Sequence, residues 1–226
     1  MPALQWIYGI NPTTASGDNV YRLPLNNQEE SGWRAIWDTG GNDRITASRA
    51  TSPATIDLRN ATLGTDVQAG GFVSRVDGIT GGFTIAHDWD GLTLDLPAGL
   101  CVIEEAIGGK GDDRLIGNSA SNRLKGKKGA DVLYAGTGSA NLVIGGKGRD
   151  QFLINATAGA YVKVKDFNRR KDRLVFDAPS TAVAFQARAH NPEVFSNGEI
   201  IATLLGEQNF NPDRHALFIG FDAFDL

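Results

Sequence analysis

One cysteine in 226 residues rules out an internal disulfide framework. That residue, Cys101, stands in the apolar run Leu100-Cys101-Val102-Ile103. A free thiol packs there as a small hydrophobe, so a buried strand residue is expected rather than a nucleophile. Histidine is scarce too. His87, His190 and His215 are scattered and lack metal-ligand spacing, and His87, in Ala86-His87-Asp88-Trp89-Asp90, reads as a surface turn. Nothing singles out a Ser/His/Asp triad. No apolar stretch approaches the ~20 residues needed to span a bilayer. A formal net charge of −4 is too small to steer the chain toward nucleic acid. The start, Met1-Pro2-Ala3-Leu4-Gln5, has no basic stretch followed by an apolar core, so no Sec signal peptide is expected there.

Glycine is what the chain has in excess: 28 of 226 residues, against a usual share of about 7%. With no long amphipathic helical run, this composition predicts many tight turns and short strands. The glycines are periodic. Gly108-Gly109-Lys110-Gly111-Asp112-Asp113-Arg114-Leu115-Ile116 fits the nonapeptide G-G-x-G-x-D-x-U-x at every specified place. Gly117 to Lys125 is a weaker copy with Asn122 and Leu124 at the sixth and eighth places, and Gly126 to Tyr134 keeps Gly129, Asp131 and Leu133. A degraded copy runs from Ala135 with Gly136, Gly138, Ala140 and Leu142. One inserted residue follows, and Gly145-Gly146-Lys147-Gly148-Arg149-Asp150-Gln151-Phe152-Leu153 matches in full.

Such repeats are the signature of a calcium-binding parallel β-roll. The expected fold is therefore all-β: a parallel β-roll of nonapeptide repeats with flanking β-strands, akin to a single-stranded right-handed β-helix. Six residues turn, with glycine where φ becomes positive, and three form a strand whose eighth-place residue faces inward. Leu115, Leu124, Leu133, Leu142 and Phe152 are the expected core. Repeats alternate between two facing sheets, so eighteen residues complete one coil and each turn stacks on the one two repeats later. Asp113, Asp131 and Asp150 then share one edge, while Asn122 and Ala140 share the other. Calcium takes six or more oxygens, and backbone carbonyls with the sixth-place aspartates supply them. Two good sites are expected on the aspartate edge and weak or empty ones opposite.

The charge of this block works against the metal. Residues 108–155 contain four acids and eight bases, a net of four positive charges. Exposed lysines are screened at physiological salt, so the effect is a loss of affinity rather than exclusion. Lys127-Lys128 and Arg169-Arg170-Lys171 read by default as solvated turn residues.

The flanks carry a more specific likeness. Trp37-Asp38-Thr39-Gly40-Gly41-Asn42-Asp43, Ile103-Glu104-Glu105-Ala106-Ile107-Gly108-Gly109, Tyr8-Gly9 with Thr13-Thr14 and Gly17-Asp18-Asn19-Val20-Tyr21, and Asp166-Phe167 with Asp172 together cover nearly the whole chain. A divergent insertion lies around Asp88 to Ala98. These segments resemble the C-terminal RTX (haemolysin-type calcium-binding repeat) domain of serralysin-type zinc metalloproteases. The resemblance implies several calcium ions. One would be held by Gly109, Gly111 and Asp113 with Gly126, Lys128 and Asp131. A second would take Lys127, Gly129 and Asp131 with Gly145, Lys147 and Asp150, the lysines serving through their carbonyls. A site before the roll would use Asp38, Gly40, Gly41 and Asp43 with Val102 and Glu104. Asp166 and Asp172 would close the final turn. An outer site near Ala15, Gly17 and Asn19 is weakened because the family has an arginine where this chain has Ala15.

The family's zinc-binding H-E-x-x-H helix is absent, so no enzyme activity is expected from this chain. The expected organisation is a connector with a first calcium loop over 1–36, a β-rich lead-in over 37–107, the RTX roll over 108–155, and a C-terminal β cap with a secretion signal over 156–226. Within the last, the stretches 182–185, 199–205 and 216–221 read as short strands that cap the open end of the roll. The ending Phe221-Asp222-Ala223-Phe224-Asp225-Leu226 resembles the uncleaved type I secretion signal of serralysins, which implies type I secretion machinery as a partner and an extracellular location. The leading function is a calcium-binding, secreted, non-catalytic module that folds on metal binding after export. The alternatives are the C-terminal half of a metalloprotease whose N-terminal protease domain lies outside this chain, and a polysaccharide-binding or adhesion module.

Overall fold

The computed structural model describes residues 14–28, 31–61, 72–86, 101–156, 159–178, 182–186, 191–206 and 210–218. Among these, the strands in chain order are β1 (Val20–Arg22), β2 (Trp33–Ile36), β3 (Arg44–Thr46), β4 (Ala54–Asp57), β5 (Arg75–Val76) and β6 (Gly82–Ile85). Then come β7 (Glu105–Ile107), β8 (Arg114–Ile116), β9 (Arg123–Lys128), β10 (Val132–Tyr134), β11 (Asn141–Lys147) and β12 (Gln151–Ile154). The last are β13 (Val162–Val164), β14 (Arg173–Phe176), β15 (Val183–Gln186), β16 (Glu193–Ser196), β17 (Glu199–Leu204) and β18 (Ala216–Phe218), with one helical turn, α1 (Pro212–His215), before β18. The N-terminal likeness at Tyr8-Gly9 and Thr13, the His87 and His190 positions, the 88–98 insertion and the 221–226 ending lie outside the described residues.

From β7 to β14 successive strands alternate between two sheets. One runs β1-β3-β7-β9-β11-β13-β17-β16-β15, the other β18-β14-β12-β10-β8-β4-β5, and β2 and β6 form a separate parallel pair. From β7 to β14 each strand pairs in parallel with the strand two places on, as a nonapeptide coil demands. Registers then bring like positions into columns. Ile45, Ala106, Leu124, Val143, Val164 and Leu204 stack along the first sheet. Ile56, Leu115, Leu133, Phe152, Leu174 and Ala216 stack along the second. All twelve belong to one buried core, which is where the apolar eighth-place residues go.

The expected core is corrected at one place. Val143, not Leu142, pairs with Leu124 and is buried, while Leu142 is half-buried and pairs with Arg123. The extra residue therefore sits in the turn before β11 rather than after it. The sixth place of that repeat is Asn141, which is buried, and not Ala140, which is exposed. Cys101 is fully buried as expected, but it lies at a bend and not in a strand.

The same two sheets continue on both sides of the nonapeptides. β3 and β4 stack under β7 and β8, and β13, β14, β17 and β18 add coils beyond β12. The 199–204 and 216–218 strands thus extend the coil instead of lying across its end. Only β15 and β16 turn antiparallel there. Around the far end Phe152, Phe167, Phe210 and His215 make a chain of ring contacts with centroids 5.3–6.3 Å apart.

The register makes a direct prediction. Val143→Ala should cost about 2 kcal/mol, from lost methyl burial plus a cavity, whereas Leu142→Ala should cost under about 1 kcal/mol. Urea unfolding of the two variants checks this, and the reverse order would place the insertion after β11.

A candidate metal centre on the aspartate rim

Asp113, Asp131, Asp150 and Asp172 each stand one residue before a strand of the second sheet. Because Arg114, Val132, Gln151 and Arg173 are in register, the four aspartates stack, one per coil. Each carboxylate is tied to the coil before it. Ala54 N–H donates to Asp113 Oδ1 at 2.8 Å and Asp113 N–H to Asp131 Oδ1 at 2.8 Å. Asp131 N–H donates to Asp150 Oδ1 at 3.0 Å, and Asp150 N–H to Asp172 Oδ1 at 3.0 Å. All four residues are buried.

The second carboxylate oxygens differ along this ladder. Asp113 Oδ2 accepts Gly109 N–H at 2.5 Å, and Asp172 Oδ2 accepts Asn168 N–H at 2.7 Å. Asp131 Oδ2 is buried with no hydrogen-bond partner. Strands lie about 4.8 Å apart, a spacing at which two like charges repel by roughly 3–4 kcal/mol at an effective dielectric of 20. Burial pushes Asp131 up to about 8, opposed by the Asp113 N–H and reinforced by the charges of Asp113 and Asp150. Burial lifts Asp150 to about 6 and raises Asp113 and Asp172 as well. Lys127 pulls against the rise at Asp113, and Lys171 does so at Asp150 and Asp172.

Oxygen also lines the space beside the ladder. A Cβ built on Gly126 would collide with Asp131 Oδ2 and lie 2.7 Å from the Gly145 carbonyl oxygen. A Cβ on Gly108 would likewise collide with Asp113 Oδ2 and lie 2.7 Å from Gly126 O. At Gly108 and Gly126 the missing side chain lets a carboxylate oxygen and the carbonyl of the next coil approach the backbone closely. Lys127 occupies the second place of its repeat, where Gly109 and Gly146 stand in theirs. Its φ of 87° costs about 1–2 kcal/mol in a residue with a side chain, and its ammonium donates to Ser48 O at 3.0 Å.

The lead-in segment brings a second set of acids near one another. Asp43 N–H donates to Glu104 Oε2 at 2.8 Å, Asn19 N–H donates to Asp43 Oδ1 at 2.7 Å, and Asp43 Oδ2 is buried without a partner. Burial lifts Asp43 to about 6, opposed by the Asn19 N–H and helped by Asp38 and Glu104, and Glu104 is raised mainly by burial. Tyr21 donates its hydroxyl to Asp38 Oδ2 at 2.6 Å, a contact that sequence reasoning missed. Gly40 donates its N–H to Asp38 Oδ1 at 3.1 Å, and Gly41 packs against the Gly17 backbone. Val102 is half-buried two residues before Glu104 in the chain. At the outer turn the Asn19 side-chain amide donates to Gly17 O and to Ala15 O, the latter at 3.2 Å. An internal N–H therefore stands at the carbonyls of the weakened outer site.

Along the nonapeptides the opposite rim is neutral, although the same rim carries Asp43 and Glu104 on the lead-in coils. Asn122 N–H donates to Asn141 Oδ1 at 2.8 Å, and Asn118 N–H to Asn122 Oδ1 at 2.8 Å. The amide groups then meet the carbonyls. Asn118 Nδ2 reaches Leu58 O and Ile103 O, and Asn141 Nδ2 reaches Gly138 O and Tyr161 O. Asparagine brings its own donors, so this rim needs no cation. Asn118 and Asn141 were not singled out in the sequence. The asparagine at the sixth place, Asn122, was the available signal.

Among the described residues no three His, Cys, Asp or Glu side chains converge as a side-chain metal cage. Any hard cation on the aspartate rim would take carbonyls plus one or two carboxylates, which suits calcium's oxygen preference. Gly109, Gly111, Asp113, Gly126, Lys128 and Asp131 come together across one pair of coils, and Lys127, Gly129, Asp131, Gly145, Lys147 and Asp150 across the next. Gly129 packs so closely on Gly111 O that a Cβ there would collide, and its φ is 117°. Asp172 extends the ladder by one coil. Asp166 does not join it; its two oxygens accept Gly145 N–H and Gly146 N–H, each at 2.9 Å.

This architecture defines a parallel β-roll with one rim of stacked, buried carboxylates. The family described as Peptidase M10 serralysin C terminal matches residues 4–194, and the chain belongs to that family. It is 37% identical over 132 residues to a serralysin of Photorhabdus laumondii, covering 54% of this chain and 23% of that protein. It is 34% identical over 131 residues to a serralysin of Proteus mirabilis, covering 54% and 22%. It is also 34% identical over 132 residues to the metalloprotease AprA of Pseudomonas entomophila, covering 54% and 23%. The matched region thus spans less than a quarter of each of these relatives. Among solved structures, the extracellular lipase LipA of Serratia marcescens aligns over 89% of this chain and 38% of its own, at 16% identity and a TM-score of 0.30, too low to carry an argument.

Raised carboxylate pKa values fix the sign of a pH effect. Between the unfolded value near 3.9 and the folded values near 6 and 8, the folded chain holds protons that the unfolded chain has lost. Stability in chelator should therefore fall as pH rises from about 5 to about 8. The part due to Asp131 is isolated by comparison with Asp131→Asn. The wild type should lose stability relative to that variant across this range, read from urea midpoints, and parallel profiles would contradict the assignment.

Proposed function

We propose that this chain is a calcium-stabilised, non-catalytic roll module of a serralysin-type protease, in which metal binding on the aspartate rim drives folding outside the cell. The observation that carries this reading is the ladder Asp113–Asp131–Asp150–Asp172, buried and like-charged, with Asp131 Oδ2 unpartnered and a backbone carbonyl of the next coil close by. A divalent cation there would neutralise stacked carboxylates that burial otherwise forces to hold protons. Gly109, Gly111, Asp113, Gly126, Lys128 and Asp131 would hold one ion. Lys127, Gly129, Asp131, Gly145, Lys147 and Asp150 would hold a second. The acid set of Asp38, Asp43 and Glu104 is the third candidate.

The chain's own part is to supply oxygens at fixed spacing only once two coils have stacked. No such constellation exists in the unfolded chain, so binding free energy becomes folding free energy. Extracellular calcium modules work at dissociation constants of about 0.1–1 mM, which leaves such a chain unfolded where calcium is scarce. That fits passage through type I secretion machinery, a reading supported by family likeness. The absence of H-E-x-x-H from the sequence supports a non-catalytic role, with proteolysis belonging to a separate catalytic part. Among the described residues no helix is long and apolar enough to cross a membrane.

Calorimetric titration with calcium, followed by circular dichroism, tests the proposal. The expected result is saturable binding with proton release, a gain of β signal, and about 2.7 kcal/mol of added stability per site at a hundredfold excess over the dissociation constant. Asp131→Asn, which touches both rim sites, should remove most of that gain. Absence of both heat and spectral change would overturn the reading.

A further inference from the structure

Counting coils upward from β3, the lowest junction of the aspartate ladder differs from those above it. The turn over 108–113 stacks on the turn over 47–53, because β7 pairs with β3 and β8 with β4. The turn over 126–131 stacks on 108–113 in the same way. Each higher junction sets two ladder aspartates against each other, but the 47–53 turn holds no acid. Asp113 is therefore the only ladder carboxylate at the lowest one. Its Oδ1 accepts Ala54 N–H where, one coil higher, Asp131 accepts the N–H of another aspartate.

The carbonyls of the 47–53 turn find donors within the chain. Ala47 O accepts Ala50 N–H at 2.7 Å, Ala50 O accepts Lys110 N–H at 3.0 Å, and Ser48 O accepts the Lys127 ammonium at 3.0 Å. Lys127 comes from the turn two coils higher, 79 residues along the chain. Its side chain thus spans the height of the intervening turn, about 10 Å for two strand spacings. Gly109 in that turn approaches the lower one closely. A Cβ there would lie 2.7 Å from Ala50 O and 2.9 Å from Ala47 O. Gly109 cannot carry a side chain, so the donor to Ser48 O comes from the coil above it.

Two features set Lys127 apart from an ordinary surface lysine. It is half-buried, whereas every other lysine of the chain is exposed. Its φ of 87° falls in the left-handed region, at the repeat place where Gly109 and Gly146 stand in the complete copies. Glycine takes that conformation freely, and a residue with a Cβ does not. Backbone strain works against lysine here, and the bond to Ser48 O works for it. Among the described residues no ion pair takes the ammonium. Asp112, the exposed acid of the 108–113 turn, accepts Ala130 N–H at 2.7 Å. The ammonium's charge acts on Asp113 and favours its ionised form.

We infer that Lys127 is a built-in cation whose ammonium closes the junction below Asp113, so that the two lowest turns stack without a metal ion. Given the calcium reading, metal dependence then begins above Asp113, where buried carboxylates come in pairs. A monovalent ammonium suits one carboxylate, and a divalent ion suits two. The lower coils become a metal-free base on which the calcium-holding turns are laid.

Hydrogen exchange of the full chain in chelator, at one fixed pH, tests this, with Lys127→Met as the informative variant. Methionine keeps the Cβ and much of the stem, so the ammonium is lost while the backbone strain stays. In the wild type, amides of 44–57 and 105–116 should be protected without calcium. Lys127→Met should speed their exchange by about tenfold or more, through loss of a charged hydrogen bond. Lys127→Arg, which keeps the charge, should stay within about threefold of the wild type. Lys125→Met, which removes the same charge from an exposed neighbour, should change the rates by less than about twofold. Unprotected lower coils in the wild type would overturn the assignment, as would equal rates in Lys127→Met and Lys125→Met. Equal loss in Lys127→Arg and Lys127→Met would overturn it too, by showing that charge is not what matters. No metal enters this test, so a wild type that ignores calcium would overturn the calcium reading and leave the Lys127 assignment standing.

Discussion

The hydrogen bond from the backbone N–H of one aspartate to the carboxylate of the next holds the rest of this structure in place. Asp113 N–H to Asp131 Oδ1, Asp131 N–H to Asp150 Oδ1, and Asp150 N–H to Asp172 Oδ1 lock successive coils at the spacing of parallel strands. That locking fixes the register that stacks Leu115, Leu133, Phe152 and Leu174 into a core column. It also concentrates negative charge in a buried line. An arrangement that is right for the backbone is costly for the carboxylates, and the cost is met by protons or by cations.

The two rims show the same geometric problem solved with different chemistry. On one, Asn118, Asn122 and Asn141 accept backbone N–H groups through Oδ1 while Nδ2 groups satisfy carbonyls, and no charge is involved. On the other, aspartate accepts the same kind of N–H but brings no donor for the carbonyls beside it. An Asp-for-Asn exchange at one place in the repeat thus decides whether a rim is self-sufficient. The net positive charge of residues 108–155 works in the background. Lys127 is drawn in by a specific contact, through its bond to Ser48 O and its pull on Asp113, and Arg123 pairs with Glu105 at 3.1 Å.

Where glycine and aspartate fall at fixed places, the fold could be read from the residues: the alternating sheets, Leu115 and Leu133 inward, and the aspartates on one rim all follow from the nine-residue period. Reading failed where the turn chemistry weakened. Between Ala135 and Ala140 the extra residue leaves no mark on composition, so Leu142 was favoured over Val143 although both are apolar. Outside the nonapeptides the coil continues through turns of other lengths, such as the one from Ile154 to Val162, where no period signals it. Pairing across long separations, Ile45 with Ala106 or Val164 with Leu204, is settled by tertiary packing and has no local signature. The acid ladder was legible in part. Asp113, Asp131 and Asp150 declared themselves by their place in the repeat. Asp172 needed the family likeness, and the Tyr21–Asp38 contact needed the coordinates.

The most direct measurement is an anomalous difference map from crystals grown with calcium. Buried charge on one rim and amides on the other predict density between Asp113 and Asp131 and between Asp131 and Asp150, with none beside Asn122 and Asn141. Density beside Asn122 and Asn141, or none beside Asp131 at saturating calcium, would contradict the account.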